Sequence, residues 1–335
     1  MNPAARSSVA RPAGALRVPV PYDLRAGRAV EFLLARGTLP VLYWLKKDIL
    51  AVPVERESRN LEKFAERIRI QESQNPDGSW SKKKRAAPAP SELENCLFET
   101  IRSVFKLYDF GCEGDEEAIR KAVGFVFSTQ KLDGVFQGPD WPEQSPITHA
   151  LALELLCRLG QGADKRVQKG FRWLIRKQQE DGGWSAPGAN ANVQDCKRRG
   201  KGLSQSSFRV TGVVLRAMAE SPHWQRSRET RRAGEFLLSR FYPDKAGGKT
   251  RGSSCWEELT YPFWATNLLS GLDVLSRIGF KPDKGRIPQA LDWLMRRQLV
   301  AGYWESKPEK PSLEDHLWVT LSVLRILKTF EVINR

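Results

Sequence analysis

Residues 169–184, KGFRWLIRKQQEDGGW, carry a basic helical run lined with aromatics into a glutamine, a glycine turn and a tryptophan. The pattern Gln-x-x-x-Gly-x-Trp (Gln178, Gly182, Trp184) returns as Gln74, Gly78, Trp80, as Gln130, Gly134, Phe136, and as Gln298, Gly302, Trp304. Each copy closes a helix-like segment. Four such copies make an internal repeat, and a repeat restricts the chain to a stack of like units.

Two further registers support it. Arg28 to Arg36, RAVEFLLAR, recurs as RAGEFLLSR at Arg232 to Arg240. Thr100, Thr148, Thr211, Thr266 and Thr320 each open an apolar run. Thirty residues separate Thr100 from Gln130 and Thr148 from Gln178, and thirty-two separate Thr266 from Gln298. After Thr211 the motif has decayed, and only Trp256 follows a basic insertion.

The unit is therefore an apolar helix, a short link, an amphipathic helix and a turn closed by an aromatic. Apolar helices are expected at about 39–50, 92–108, 146–158, 204–220, 258–278 and 313–330. Amphipathic ones are expected at about 28–36, 57–74, 117–130, 164–178, 226–240 and 285–298. Helices apolar on most sides belong inside and those with one apolar stripe outside. Six of each predict an all-α fold, a closed α/α barrel of six hairpins over 26–332, in which the first and last helices pair. No strand pattern competes.

The turns have a physical reason. Asp77-Gly78, Asp133-Gly134 and Asp181-Gly182 stop an outer helix, because glycine tolerates the left-handed C-terminal cap. The following aromatic folds back over the helix end while the Gln amide meets orphan backbone groups. Gln74, Trp80, Gln130, Phe136, Gln178, Trp184, Gln298 and Trp304 are thus read as structural.

Composition adds a sign. Lys and Arg total 54 against 39 Asp and Glu, a net charge of +15. Such a surface favours anionic partners. The cations lie in loops without a nucleic-acid recognition motif, so an acidic small ligand or an anionic membrane surface is expected and nucleic acid is not. Residues 1–25 have arginines but no apolar h-region, and read as a disordered basic leader. Five cysteines without a CxxC pair point to reduced thiols and a cytoplasmic setting. No apolar run approaches the roughly 18 residues a membrane span needs.

A Gln-x-x-x-Gly-x-Trp repeat on paired helices resembles the QW motif of the terpenoid cyclase and protein prenyltransferase superfamily. The likeness spans nearly all of residues 26–330, and KGFRWLIRKQQEDGGW carries it best. The resemblance implies an α/α toroid whose central apolar cavity receives an isoprenoid chain, for acid-initiated cyclisation or for transfer. The family's chemical motifs do not carry over. Class II cyclases use the aspartates of DxDDT, where this chain reads Cys96-Leu-Phe-Glu99-Thr100 and His316-Leu-Trp-Val-Thr320. Zinc is not expected, since Glu258 and Thr260 stand where the prenyltransferases carry an Asp-x-Cys pair; magnesium stays open. For the same reason an α-type partner subunit is not expected.

Acids nonetheless cluster at inner-helix starts. Glu314, Asp315 and His316 open the last inner helix and Glu99 lies on the second, so these four are the acid–base candidates. Against this, Ser312 with Asp315 has the form of a capping box. His149 has the ordinary look of a satisfied core histidine. With Trp264, Phe263, Trp318, Phe98 and Phe208, it completes the candidate cavity lining, where aromatics stabilise cations. The long outer-to-inner links place Lys83, Arg85, Arg198, Arg199, Lys201 and Arg251 on one rim, a candidate anion site. The alternative reading is a non-catalytic lipid-binding or protein-interaction scaffold, with side chains plugging its barrel.

Overall fold

The computed structural model describes residues 22–81, 92–136, 146–185, 206–241, 256–307 and 310–333. Residues 1–21 of the expected leader lie outside these, and its last four, Tyr22 to Arg25, belong to the first helix.

The amphipathic helices form the outer ring: α1 (Tyr22–Arg36), the pair α3 (Glu55–Glu62) and α4 (Ala65–Glu72), α6 (Glu117–Ser128), α8 (Lys165–Lys177), α10 (Arg228–Ser239) and α12 (Ile287–Arg296). The inner ring is α2 (Leu39–Trp44, continued by a π turn, Leu45–Leu50), α5 (Glu92–Asp109), α7 (Pro146–Arg158), α9 (Phe208–Glu220), α11 (Leu268–Arg277) and α13 (Leu313–Thr329). Burial follows sequence pattern. α7 is buried without a break from His149 to Leu156, whereas α8 buries one stripe, Val167, Gly170, Phe171, Trp173 and Leu174. The inner helices pack in chain order from α5 to α13, and α13 returns against α1 and α2 to close the ring.

The repeated motif is the clamp of this ring. The Nε2 of Gln74, Gln130, Gln178 and Gln298 each donates to the carbonyl of the glycine four residues on, at 2.8 to 3.0 Å. The same amide donates to the first turn of the next outer helix, at Ala118, Arg166, Glu229 and Arg25 respectively. The last of these closes the circle, beside Arg25 donating to the Met295 carbonyl at 2.7 Å. The glycine cannot be replaced: Gly182 has φ +90, and a Cβ there would sit 2.7 Å from the Arg232 carbonyl. The indole Nε1 of Trp80, Trp184 and Trp304 caps a carbonyl ten residues back, at Ile70, Leu174 and Leu294.

The aromatic's own N–H reaches the inner ring. Those of Trp80, Trp184 and Trp304 donate to the hydroxyls of Thr100, Thr211 and Thr320. In the remaining copy Phe136 N–H donates to His149 Nδ1 at 3.1 Å, so the register passes through His149 and not Thr148.

Two expected helices differ. The one at 57–74 breaks at Lys63–Phe64, where Phe64 turns extended and packs edge-on against Phe110. Arg67 then reaches Glu116 at 2.6 Å from a buried position. The helix expected at 258–278 begins only after Asn267, whose side chain forms a capping box with Ser270. Pro262 cannot sit in a helix interior, and residues 258–267 cross the barrel instead. Among the described residues no helix is long and apolar enough to cross a membrane.

Candidate functional site

The clamp residue faces outward, so at 100° per residue the positions five and nine further on face the lumen. From Thr100, His149, Thr211 and Thr320 these are Phe105 and Asp109, Glu154 and Arg158, Arg216 and Glu220, Arg325 and Thr329. Trp44 and Asp48 on α2, with Asp273 and Arg277 on α11, supply the matching i,i+4 pairs. All twelve line the cavities of the barrel centre.

Half of this lining is a checkerboard of charge. Glu154, 1% exposed, meets Arg216 at 2.7 Å and Arg158 at 2.9 Å. Arg158 meets Glu220 at 2.9 Å, Glu220 meets Arg277 at 2.8 Å, and Arg277 faces Asp273 at 3.5 Å. The neighbouring guanidiniums hold Glu154 below the usual carboxylate range although burial opposes it. The lumen expected to be apolar is thus, over this half, a chain of ion pairs running from Arg216 to Asp273.

The segment Tyr261–Trp264 lies across the axis. Arg216 binds the Phe263 carbonyl. The Tyr261 ring stacks on Trp318 with centroids 5.0 Å apart, and its hydroxyl donates to Asp109 Oδ1 at 2.6 Å. A cavity lies on either side of this segment, and a constriction of about 30 Å³, lined by Asp109, Arg158, Tyr261 and Phe263, shares walls with both.

The upper cavity, about 750 Å³, is bounded by Phe64, Phe105, Phe110, Tyr261, Trp264 and Trp318. Five carboxyl groups (Glu66, Glu99, Asp109, Glu314, Asp315) and three cations (Arg69, Arg102, Lys106) also face it. It reaches solvent beside the half-exposed pair Lys106–Glu66. The lower cavity, about 410 Å³, lies at the C-terminal ends of the inner helices.

Asp109 stands at the floor of the upper cavity and on the constriction. Burial pushes its carboxyl up to about 6, against the opposing pull of the Tyr261 bond and of Arg325, Arg158 and Lys106. Burial likewise raises the Tyr261 phenol well above its usual range. The Asp109 carboxyl thus keeps a proton up to about pH 6, facing aromatic walls.

The structure brings Glu99, Glu314, Asp315, Trp264 and Trp318 together on the upper cavity. Glu314 accepts from Trp318 Nε1 at 2.8 Å and from Thr38 at 3.1 Å. Asp315 closes the capping box with Ser312, and Glu99 pairs with Arg102 at 3.3 Å. His316 is not on the cavity: its Nδ1 accepts from Ser306 N–H and its ring lies against Tyr303. Phe263 lines the constriction and the lower cavity, and Phe98 backs Trp264 at 6.1 Å. Phe208 packs against Trp256, away from both cavities. His149 is sealed in the wall, and burial lowers it to about 4. With Nδ1 accepting, its Nε2–H donates to the Gly170 carbonyl at 3.0 Å. The rim candidates Lys83, Arg85, Arg198, Arg199, Lys201 and Arg251 lie outside the described residues. No group of three or more His, Cys, Asp or Glu among the described residues could hold a metal.

Residues 96–240 match the squalene-hopene cyclase C-terminal domain family. The type II terpene cyclase MstE from Scytonema superposes over 92% of this chain and 99% of its own, at 13% identity and a TM-score of 0.52. The fold is that of the terpenoid cyclases. The same ring also appears in a polysaccharide lyase, over 92% of this chain and 97% of that one, at 11% identity and a TM-score of 0.52. A Listeria innocua protein, Lin0763, matches 93% of this chain and 97% of its own, at 13% identity and a TM-score of 0.50. No curated protein sequence matches the chain. A terpenoid cyclase-like ring therefore hosts unlike chemistries, and function has to be argued from the lumen.

Sequence reasoning missed Asp109, Tyr261 and the checkerboard. Its signal was present in Asp109, Glu154, Arg158, Arg216, Glu220 and Arg325, charges five or nine residues after a clamp position inside helices otherwise apolar.

Proposed function

We propose that the upper cavity of this terpenoid cyclase-like chain takes an uncharged isoprenoid and that Asp109 protonates it to start cyclisation. The observation that carries this is a carboxyl raised to about 6 at the floor of an aromatic-walled cavity of about 750 Å³. MstE has been solved with geranylgeranyl dihydroxybenzoate as substrate and with merosterolic acid A as product, which supports the ligand class. Tyr261 donates to Oδ1, leaving Oδ2 to carry the proton. Transfer to an alkene or epoxide breaks the Asp109 O–H bond, forms a C–H or O–H bond and generates a carbocation, which the next double bond attacks, forming a C–C bond and passing the cation along the chain. Trp264, Trp318 and Phe105 offer it π faces. A carboxylate of the same wall, Glu314 or Asp315, takes the final proton, so the reaction is a net isomerisation. Five carboxyl groups against three cations oppose a diphosphate in this cavity.

The test is incubation with farnesol, geranylgeraniol, squalene and their epoxides, with tryptophan quenching for binding and mass spectrometry for product. Binding with a cyclic product that Asp109→Asn abolishes is expected, with turnover falling about tenfold per pH unit above about 6. Binding without product would leave a lipid-binding scaffold, which the Tyr261–Trp264 segment across the axis also fits. Absence of binding would refute both.

A further inference from the structure

The lower cavity has no part in that reading. We propose that it is a second site, for a small molecule bearing an oxyanion, either a carboxylate or a phosphate. The charges around it do not balance. Arg158, Glu220, Arg277 and Asp273 pair in charge with one another along the checkerboard. Arg325 spends its contacts on Asp48, at 2.7 and 2.8 Å. Lys328 remains: its Nζ donates to the main-chain carbonyls of Asp48 at 2.6 Å and Ile49 at 3.2 Å, and no carboxylate among the described residues pairs with it. Two bonds from an ammonium leave one proton to give.

Its surroundings are donors of the right kind. The Tyr108 phenol lines the same cavity, and burial raises its pKa, so it stays an O–H. A small oxyanion of the size such cavities hold would accept from Lys328 and from Tyr108 together. Cations in the last turn also answer the negative end of the helix dipole, and the two carbonyls on Lys328 are that share. The third proton is not used by it.

The experiment is calorimetric titration of the full chain with inorganic phosphate and, separately, with succinate, at constant ionic strength. Saturable binding of one of them is expected, and which one binds tells phosphate from carboxylate. Lys328→Met should weaken it by about tenfold or more, as losing one charge-assisted hydrogen bond does. Tyr108→Phe, which keeps charge and packing, should weaken it as well and guards against a folding defect in the first variant. Absence of saturable binding of either anion, or affinities unchanged in both variants, would overturn the proposal. The readout involves no isoprenoid, so it stands or falls apart from the upper cavity.

Discussion

Replacing Asp109 by Asn should make the protein more stable and less active, and the gain should depend on pH. The free carboxyl titrates at 3.8 and the folded one at about 6. A group whose pKa is raised by folding stabilises the fold below its unfolded value, and that stability is lost as pH rises through the folded value. Roughly two units at about 1.4 kcal/mol each amount to about 3 kcal/mol withheld from the wild type above pH 6. Asn keeps the volume and an oxygen for the Tyr261 hydroxyl but has no charge to desolvate. The variant should therefore gain about 3 kcal/mol at pH 8 and almost nothing at pH 4. For a chain of this size that is a rise of about 3 to 6 °C in the melting midpoint. Thermal unfolding followed by circular dichroism across that pH range reads it directly. A gain of equal size at both pH values, or a loss at pH 8, would refute the reasoning, since either means the carboxylate is not strained by its surroundings.

Gln298→Ala removes the bond to the Arg25 carbonyl that ties α12 to α1 and the bond to Gly302 that holds its own turn, and should cost about 1 to 2 kcal/mol. Amide exchange should quicken first in residues 22–36. His149→Ala leaves the Phe136 N–H and the Gly170 carbonyl unpaired, a loss of about 2 to 5 kcal/mol by denaturant unfolding. Wild-type His149, lowered from 6.5 to about 4, lends stability above pH 6.5 that is lost as pH falls through 4, so the variant's deficit should shrink on acidification. Glu154→Ala leaves Arg216 without its carboxylate and Arg158 with Glu220 alone, and should cost about 3 to 5 kcal/mol, more than the double change with Arg216→Met.

The ring was legible because its signal is local. Gln178, Gly182 and Trp184 sit within seven residues, and their bonds reach one neighbour on each side, so spacing alone exposes the repeat. The two helices read wrongly were set by contacts distant in sequence. Phe64 bends away to meet Phe110, and Tyr261 leaves the helical path to reach Asp109. The lumen was misread for a different reason. Averaged over their length α7 and α9 are apolar, and that average hides a single charged stripe, Glu154 with Arg158 and Arg216 with Glu220.

That stripe shows why this fold carries unlike chemistries. The clamp bond to Thr100, His149, Thr211 or Thr320 is made on the outward face of an inner helix and fixes its rotation. Positions five and nine residues on are then aimed at the axis whatever they are, and nothing in the clamp depends on them. A change there alters the lumen and leaves the ring intact. The same ring is shared by MstE and by a polysaccharide lyase at equal TM-scores of 0.52, as such independence requires. In this chain the two layers divide the barrel. On the readings proposed for them, Phe105, Trp264 and Trp318 suit one end to an apolar chain and a cation, and Arg277, Arg325 and Lys328 suit the other to a small anion. Asp109 stands between them, its carboxyl raised to about 6 by burial although the Tyr261 hydroxyl bond pulls the other way.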